Sequence, residues 1–178
     1  MRFLPAVIPG VVVIEPEPTE DGTPTGWMYS AEAFCAHGLE PTAVQWSVAL
    51  NHRRGTLRGL HYQRPPHEES KVMTCIRGAL YVVAADIRPT SPTCGQHVGV
   101  ELRARDRRAL YVPKGFAVGY QTFVDDTEVM YAISTYYAPG FEAGIHHGDP
   151  TLAIAWPLPV AVISERDREL PLLSGVAV

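Results

Sequence analysis

The sequence predicts an all-β fold, an antiparallel sandwich or barrel with a few short helices. Short apolar or alternating runs recur between turn signals along most of the chain, which is typical of antiparallel β-proteins. The 178 residues include 15 glycines and 16 prolines, which favour frequent turns over long helices. A chain of this length buries enough surface for one core, so we predict a single domain over residues 1–178.

The predicted strands follow one another in chain order. Val11–Ile14 is an apolar run that stops at Glu15-Pro16, and the run 43–50 alternates apolar with polar residues. The other predicted strands are 71–76, 80–87, 97–102, 109–112, 117–122 and 128–135. We divide the chain accordingly into an N-terminal arm of about residues 1–40, a barrel core of about 41–157 and a C-terminal segment, 158–178.

Helices are predicted at two places outside these strands. Ser30–His37 has the signals of a short helix, with Ser30 as its N-cap and Gly38 just beyond its end. After Trp156 the chain becomes rich in proline and charge, and a second short helix is expected at 164–169. Residues 19–26, rich in threonine, glycine and proline, are predicted to form a loop.

Charge and cysteine content exclude several classes of function. A net charge of -4 and a pI near 5.9 argue against a surface for nucleic acid or for an anionic membrane. The cysteines, Cys35, Cys75 and Cys94, are widely spaced and predict neither a disulfide framework nor a zinc site. Because no sustained apolar segment opens the chain or crosses a membrane-length window, we expect a cytoplasmic protein.

Four side chains could carry chemistry, although each also has an ordinary structural explanation. His61 lies in Arg58–Tyr62, a stretch at the end of a strand pattern, and Lys71 opens the next apolar run ten residues later, so both side chains could point into one barrel. Alternation puts Tyr131 on the buried face of its strand, and Asp167 lies in a polar segment near the end. A strand histidine or tyrosine is more often structural, and a lysine or aspartate is usually solvated.

A longer pattern of residues gives these candidates more weight. The stretch Gly55–Gln63 reads GTLRGLHYQ and is followed by several short matching groups. These are Lys71, Asp86-Ile87-Arg88, Ser91-Pro92-Thr93, Pro113, Gly115-Phe116-Ala117, Tyr131, Tyr136-Tyr137, Pro139, Glu142, Gly144-Ile145, Asp149-Pro150 and Trp156-Pro157. In this pattern the chain resembles the dTDP-4-dehydrorhamnose 3,5-epimerase family of cupins over roughly two-thirds of its length.

The resemblance implies a jelly-roll barrel, a homodimer and an epimerase of a nucleotide-linked 4-keto-6-deoxy sugar that needs neither metal nor organic cofactor. It assigns His61 as the base that removes a proton beside the ketone, with Asp167 fixing its imidazole. It assigns Tyr131 as the acid on the opposite face of the sugar, and Lys71 as the cation that stabilises the enolate.

The resemblance also implies how the nucleotide end is held. Arg58 corresponds to the arginine that binds the diphosphate, a role for which a planar guanidinium is suited. Gln45 and Arg166 are further candidates for substrate binding, and Glu142 joins them. Tyr137 corresponds to the aromatic residue that stacks on the nucleotide base. The family resemblance implies that this nucleotide is dTDP, so the substrate we expect is a dTDP-linked sugar.

Two departures from the family pattern alter these expectations. Val118 and Val82 stand where the family has a histidine and an aspartate, and we expect both valines to face one pocket. Their joint presence predicts a more apolar site and favours epimerisation at one carbon. Upstream, Thr25–Ser30 lacks the arginine and the glutamate with which the family contacts the nucleotide base. The identity of the nucleotide is therefore left open by the sequence.

Other functions remain possible from the sequence. A 3,4-ketoisomerase on the same scaffold would need a base reaching two adjacent carbons, and the missing second histidine argues against it. A metal-dependent cupin would have to use a poor ligand set of His61, His67 and Glu69, while His146 and His147 are expected in a loop or on the surface. The two valines also leave open a sugar-nucleotide-binding protein without turnover.

Overall fold

The computed structural model describes residues 1–23 and 28–175, and this part of the chain is built almost entirely from antiparallel strands. The strands are β1 (Arg2–Pro5), β2 (Val12–Glu15), β3 (Gln45–Asn51), β4 (Leu57–Gln63), β5 (Lys71–Arg77), β6 (Ala79–Asp86), β7 (His97–Arg103), β8 (Ala109–Val112), β9 (Phe116–Thr122), β10 (Thr127–Ile133) and β11 (Glu142–Gly144). The helices are α1 (Ala31–Ala36) and α2 (Glu165–Arg168), with 3-10 turns at Ala104–Asp106 and Leu173–Gly175. The all-β prediction is confirmed.

The strands form two sheets that face each other. A six-stranded sheet has the order β1-β2-β8-β5-β10-β3, and a five-stranded sheet has the order β11-β4-β9-β6-β7. Alternate side chains from both sheets point inward and make the main core. Met73 and Val129 enter this core from the larger sheet, and Leu80 and Phe116 enter it from the smaller one.

The outer face of the smaller sheet is covered by the C-terminal part of the chain. Leu60, Val83 and Ala117 point outward from this sheet and pack with Ile145 and Leu152. Burial of this second apolar layer holds Ile145 and Leu152 against the sheet, and the C-terminal segment 158–178 follows, with α2 in contact with β4. The C-terminal segment thereby contributes a side chain to the site described below.

The N-terminal arm is part of the larger sheet. β2 pairs with β8 and carries β1 to one edge of the sheet. The predicted helix is confirmed as α1, capped by Ser30, whose Oγ accepts a hydrogen bond from the Ala33 amide at 3.3 Å. Phe34, the buried residue of α1, packs on Ile14 of β2.

α2 confirms the second predicted helix, with Ser164 as its N-cap. Residues 19–23 of the predicted loop contain neither helix nor strand, and the rest of that prediction, 24–26, lies outside the described residues. Within residues 1–23 and 28–175, no helix is both long and apolar enough to cross a membrane.

Candidate active site

A cavity of about 300 Å³ lies between the two sheets. β4 and β9 supply one wall, whereas β3, β5 and β10 supply the opposite wall. The lining residues are Ala49, Arg58, His61, Lys71, Met73, Val118, Tyr120 and Tyr131. Four of the residues singled out in the sequence, Arg58, His61, Lys71 and Tyr131, therefore share one cavity.

An irregularity in β4 turns both Arg58 and His61 toward this cavity. Residues three positions apart in a regular strand point to opposite faces. The pairing of β4 with β9 shifts register between Arg58 and His61, and Gly59 has a φ of 104°. A Cβ on Gly59 would lie 2.6 Å from the Val118 carbonyl oxygen and 2.7 Å from the Gly119 Cα, so the close strand approach requires glycine.

His61 is held by a buried carboxylate. Its Nε2 lies 2.6 Å from Oδ1 of Asp167, which is only 2% exposed. The other carboxylate oxygen accepts a hydrogen bond from the Gly59 amide at 3.1 Å, so the irregular turn of β4 also anchors Asp167. At the start of α2, the Asp167 amide donates to Ser164 Oγ at 3.0 Å.

These contacts set the charge of Asp167. Burial by itself would raise the pKa of this carboxyl group, but the hydrogen bond and charge of His61, with the Gly59 amide, hold the pKa below its usual range. An ionised Asp167 fixes the proton of the imidazole on Nε2. Nδ1 is then the nitrogen of His61 that can accept a proton, and it makes no hydrogen bond within the described residues.

Lys71 enters the cavity from the first position of β5. Its Nζ lies 2.8 Å from Oε1 of Glu69, and the two side chains are only 13% and 9% exposed. The sequence predicted Glu69 only as a poor metal ligand, and this ion pair was not predicted. The spacing was the available signal, because residues two apart in extended chain lie on the same face.

Two tyrosines line the cavity from different sheets. Tyr131 of β10 lies opposite Met73 of β5 and Ser47 of β3. Tyr120 of β9 was not predicted as a site residue; its hydroxyl donates to Asn51 Oδ1 at 3.3 Å, and burial raises the pKa of the phenol. Tyr120 lies two residues beyond Val118, so strand alternation could have placed it in the pocket.

Val82 and Val118, which replace an aspartate and a histidine of the family pattern, share the inner face of the smaller sheet. Val118 lines the cavity, while Val82 is fully buried in the same core and is paired with Tyr120. Val82 is not among the lining residues, so it lies behind the cavity wall. The prediction that both valines face the pocket is therefore right for Val118 and wrong for Val82, which is packed into the core; Val118, the register partner of His61, is the apolar residue at that point of the wall.

The other predicted substrate-binding residues form a group outside the cavity lining. Oε1 of Gln45 accepts a hydrogen bond from the Tyr137 amide at 2.5 Å. Interaction with Glu142 raises the pKa of the Tyr137 phenol, and the pKa of Glu142 is lowered first by its own backbone amide and then by Tyr137. Glu142 and Arg166 line a neighbouring groove that also contains Arg64. Among these candidates, Arg58 alone contributes to the central cavity.

The histidines considered as metal ligands are dispersed. His146 and His147 follow β11 outside any strand, with ring centroids 4.3 Å apart, and burial lowers the pKa of His147. His67 packs against Phe141 at a centroid distance of 4.4 Å. Across residues 1–23 and 28–175, no three histidine, cysteine or carboxylate side chains form a metal-binding group.

Part of the departing upstream segment can be located. Tyr29 packs edge-on against Phe34 with a centroid distance of 5.0 Å, and its hydroxyl donates to the Pro41 carbonyl. Ser30 caps α1. Thr25, Gly26 and Trp27, the other residues of interest there, lie outside the described residues.

Comparison with known proteins gives this geometry a context. The profile of the family described as dTDP-4-dehydrorhamnose 3,5-epimerase matches residues 5–175. The chain belongs to the dTDP-4-dehydrorhamnose 3,5-epimerase family. It is an epimerase, an enzyme of the isomerase class. The epimerase is similar to the dTDP-4-dehydrorhamnose 3,5-epimerase of Methanothermobacter thermautotrophicus, with 36% identity over 173 residues, 94% of this chain and 91% of the relative.

Solved structures agree with the family and with the fold. The crystal structure of dTDP-4-dehydrorhamnose 3,5-epimerase from Elizabethkingia anophelis matches the epimerase with a TM-score of 0.92 at 30% identity, covering 98% of this chain and 97% of that one. ChmJ, a 3'-monoepimerase from Streptomyces bikiniensis solved with dTDP-quinovose, matches with a TM-score of 0.86 at 34% identity, covering 96% and 87%. The predicted cupin jelly-roll barrel is confirmed.

Proposed function

We propose that this epimerase acts on a dTDP-linked 4-keto-6-deoxy sugar and moves a proton at C3, at C5 or at both. The observation that carries the proposal is the pair of His61 and the buried Asp167, in which His61 shares one cavity with Lys71 and Tyr131. The ligand of ChmJ supports dTDP as the nucleotide.

His61 is the base in this mechanism. A proton beside a ketone is weakly acidic, and the imidazole is the side chain whose unperturbed pKa lies closest to neutrality. Nδ1 of His61 takes the proton, and the resulting imidazolium is stabilised by the ionised Asp167 at 2.6 Å from Nε2.

Inversion requires a second group on the opposite face of the sugar. His61 belongs to the smaller sheet and Tyr131 to the larger one, so the two side chains approach a bound sugar from opposite sides. Tyr131 returns a proton to the carbon, which completes the inversion. Lys71 stabilises the negative charge that develops on the ketone oxygen, and its effect is greatest in a site that excludes water.

The nucleotide end is bound at the mouth of the cavity. Arg58 binds the diphosphate with its guanidinium, and the ring of Tyr137 stacks on the base. Gln45 holds Tyr137 in position through the hydrogen bond from the Tyr137 amide. Arg166 adds positive charge beside Glu142.

We further propose that the apolar wall at Val118 limits the reaction to one carbon. A second carbon would need its own polar environment, and Val118 offers no hydrogen bond. A 3'-monoepimerase among the similar structures makes such a reaction compatible with this fold. The reaction as proposed requires no metal or organic cofactor, because His61 and Tyr131 carry out both proton transfers. We expect a single-domain protein that works in the cytoplasm.

The assembly that we propose is a homodimer formed through β3. This strand is an edge of the larger sheet, and its outward side chains Trp46, Val48 and Leu50 are 50%, 59% and 45% exposed. An apolar edge strand exposed to water favours pairing with another chain. The occupant we infer is a second copy of this chain, since the family resemblance implies a homodimer.

The test follows solvent deuterium at the sugar carbons. The protein is incubated in D2O with dTDP-, UDP- and GDP-linked 4-keto-6-deoxyglucose, and C3 and C5 are monitored by NMR. We expect exchange and inversion with the dTDP sugar, at C3 alone if the wall limits the reaction. His61→Asn should lower exchange by about a hundredfold or more, whereas Tyr131→Phe should still exchange deuterium but form no inverted product.

His52→Asn is the matched control, because His52 is an exposed histidine outside the cavity. It should exchange like the wild type. Absence of exchange at both carbons with all three nucleotide sugars would refute the proposed function. Inverted product from Tyr131→Phe at the wild-type rate would refute the role of Tyr131.

A further inference from the structure

Lys71 reaches the cavity as one end of a chain of polar contacts. The ammonium contacts Oε1 of Glu69 at 2.8 Å, and Oε2 of Glu69 accepts a hydrogen bond from Gln63 Nε2 at 3.0 Å. Gln63 belongs to β4, two residues beyond His61, and is 5% exposed. The carboxylate of Glu69 is therefore satisfied on both oxygens, one by Lys71 and one by Gln63.

Gln63 also holds the loop that follows β10. Its Oε1 accepts a hydrogen bond from the Ala138 amide at 2.7 Å, and its Nε2 lies 3.3 Å from the Tyr136 carbonyl and 3.0 Å from the His67 carbonyl. Tyr137, proposed above to stack on the base, is the residue between Tyr136 and Ala138. The buried side-chain amide of Gln63 thus contacts both the loop that carries Tyr137 and Glu69, the counterion of Lys71.

A second set of contacts joins the same two segments. The Ser70 amide donates to Ser134 Oγ at 2.8 Å, and Thr135 Oγ1 donates to the Glu68 carbonyl at 2.8 Å. Residues 68–70 and 134–138 are consequently fixed to one another on both sides of Glu69. A movement of the Tyr137 loop must then be accommodated at Glu69.

The contacts of Glu69 with Lys71 and Gln63 would keep the ammonium of Lys71 in one position, as is required if it binds a single oxygen atom of the substrate. A lysine side chain has a flexible stem of four carbons and an ammonium group that rotates, so it needs a second contact to keep one position. Glu69 occupies one of its three N–H groups and leaves two for a ligand in the cavity. A buried carboxylate without such partners would be strongly destabilising, so the fold needs the contacts of Glu69 with both Lys71 and Gln63.

We propose that Glu69 and Gln63 are positioning residues that aim Lys71 at the ketone oxygen, and that Gln63 couples this aim to the Tyr137 loop. This inference rests on the proposed function, in which Lys71 stabilises the enolate. Binding at the nucleotide end orders the loop, and the loop, through Gln63 and Glu69, fixes the ammonium at the sugar end. Binding energy from a remote part of the substrate is in this way used at the reacting carbon.

The first test separates action through Lys71 from a general structural effect. Glu69→Gln keeps the size of the side chain and removes its charge, and we expect kcat to fall about tenfold while KM stays within about twofold. In a Lys71→Met background, the same substitution should change kcat by less than about twofold, because its effect requires the ammonium. Glu69→Asp, which retains the charge, should recover part of kcat.

Glu68→Gln is the matched control, since it makes the same chemical change one residue earlier, outside the cavity lining. It should retain wild-type kcat. Thermal unfolding of each variant shows which variants are folded at the assay temperature. If Glu69→Gln is not folded, Glu69→Asp takes its place in the double-mutant cycle with Lys71→Met.

The second test concerns the coupling. Gln63→Leu releases Glu69 and the Tyr137 loop together, so it should lower kcat and also weaken the binding of dTDP, measured by calorimetry, by about fivefold or more. Glu69→Gln should leave the dTDP affinity within about twofold of the wild type. Weaker dTDP binding by Gln63→Leu, with unchanged binding by Glu69→Gln, is expected only if Gln63 supports both the Tyr137 loop and Glu69.

Several outcomes would overturn the inference. One is a wild-type kcat for Glu69→Gln, and another is a full additional loss of kcat when Glu69→Gln is combined with Lys71→Met. Unchanged dTDP binding by Gln63→Leu would overturn the coupling. Failure of the proposed function is distinguishable, because the wild-type protein itself would then exchange no deuterium.

Discussion

Asp167 is a charged residue that the fold removes almost completely from water. Its carboxylate remains ionised because His61 and the Gly59 amide stabilise the charge, and its pKa lies below the usual range for that reason. The unfolded chain has an ordinary aspartate pKa of about 3.9. The stability that this group contributes is therefore present above about pH 4 and is lost as the pH falls through the lower folded-state pKa.

Asp167→Asn should reveal this contribution and the catalytic role together. We expect the variant to lose about 1–3 kcal/mol of unfolding free energy at neutral pH, since a buried amide cannot replace every contact of the carboxylate. The difference from the wild type should shrink below about pH 4, as measured by urea unfolding from pH 3 to 7. Deuterium exchange should fall about a hundredfold or more, because the imidazolium loses its counterion.

Asp106→Asn serves as the control for both measurements. Asp106 lies in a surface 3-10 turn and pairs with Arg105 at 3.4 Å, so its loss should cost less than about 0.5 kcal/mol. A difference between wild type and Asp167→Asn that grows as the pH is lowered would contradict the assigned sign.

The individual site residues differ in how visible they are in the sequence. His61, Lys71, Tyr131 and Asp167 were predicted because they belong to a long family pattern, and the first three line one cavity. Their roles stay predictions until tested. Glu69 and Tyr120 were missed although each lies two residues from a residue that was singled out, Lys71 and Val118, because this spacing alone does not distinguish an ion pair or a cavity phenol from ordinary surface or core residues.

At the scale of an element, β4 depends on Gly59. Gly59→Ala would place a Cβ 2.6 Å from a backbone oxygen of β9 at a φ of 104°, so β4 and β9 must separate. We expect a loss of about 3 kcal/mol or more in unfolding free energy. Deuterium exchange should also fall sharply, because the hydrogen bond from Gly59 to Asp167 moves with the strand.

Gly38→Ala separates conformational strain from the steric contact. Gly38 follows α1 with a φ of 68°, and a Cβ there would meet nothing within 4 Å. It should cost only about 1–2 kcal/mol, the penalty of left-handed backbone, and should retain activity. Equal losses of stability in the two variants would show that the contact with β9 is not the cause.

Whole elements were easier to predict than their irregularities. Strands with alternating or continuous apolar runs were found with ends within two residues of the observed ones, for example β5, β8 and β9. β1 and β11 were missed, since Arg2–Pro5 ends in proline and Glu142–Gly144 has three residues and no apolar pattern. The register shift in β4 was also not predicted, because periodicity assigns Arg58 and His61 to opposite faces.

At the scale of the whole molecule, β3 connects the cavity with the outside. Ala49 points inward and lines the cavity, while Trp46, Val48 and Leu50 point outward on the same strand. A second copy bound on this outer face would cover the apolar edge and would stand directly against a wall of the cavity. If the proposed homodimer forms in this way, assembly and activity are linked through one strand.

Val48→Glu tests this link, because it puts a charge in the middle of the proposed interface. We expect the wild type to sediment as a dimer and the variant as a monomer at micromolar concentration, since burying an unpaired charge opposes association. KM for the dTDP sugar should rise in the variant, because Ala49 of the same strand lines the cavity, while the thermal midpoint changes little. Val160→Glu, at another exposed valine outside β3, should leave both the assembly and KM unchanged. A monomeric wild type, or a dimer of Val48→Glu with the wild-type sedimentation coefficient and affinity, would show that the apolar edge of β3 is not the interface.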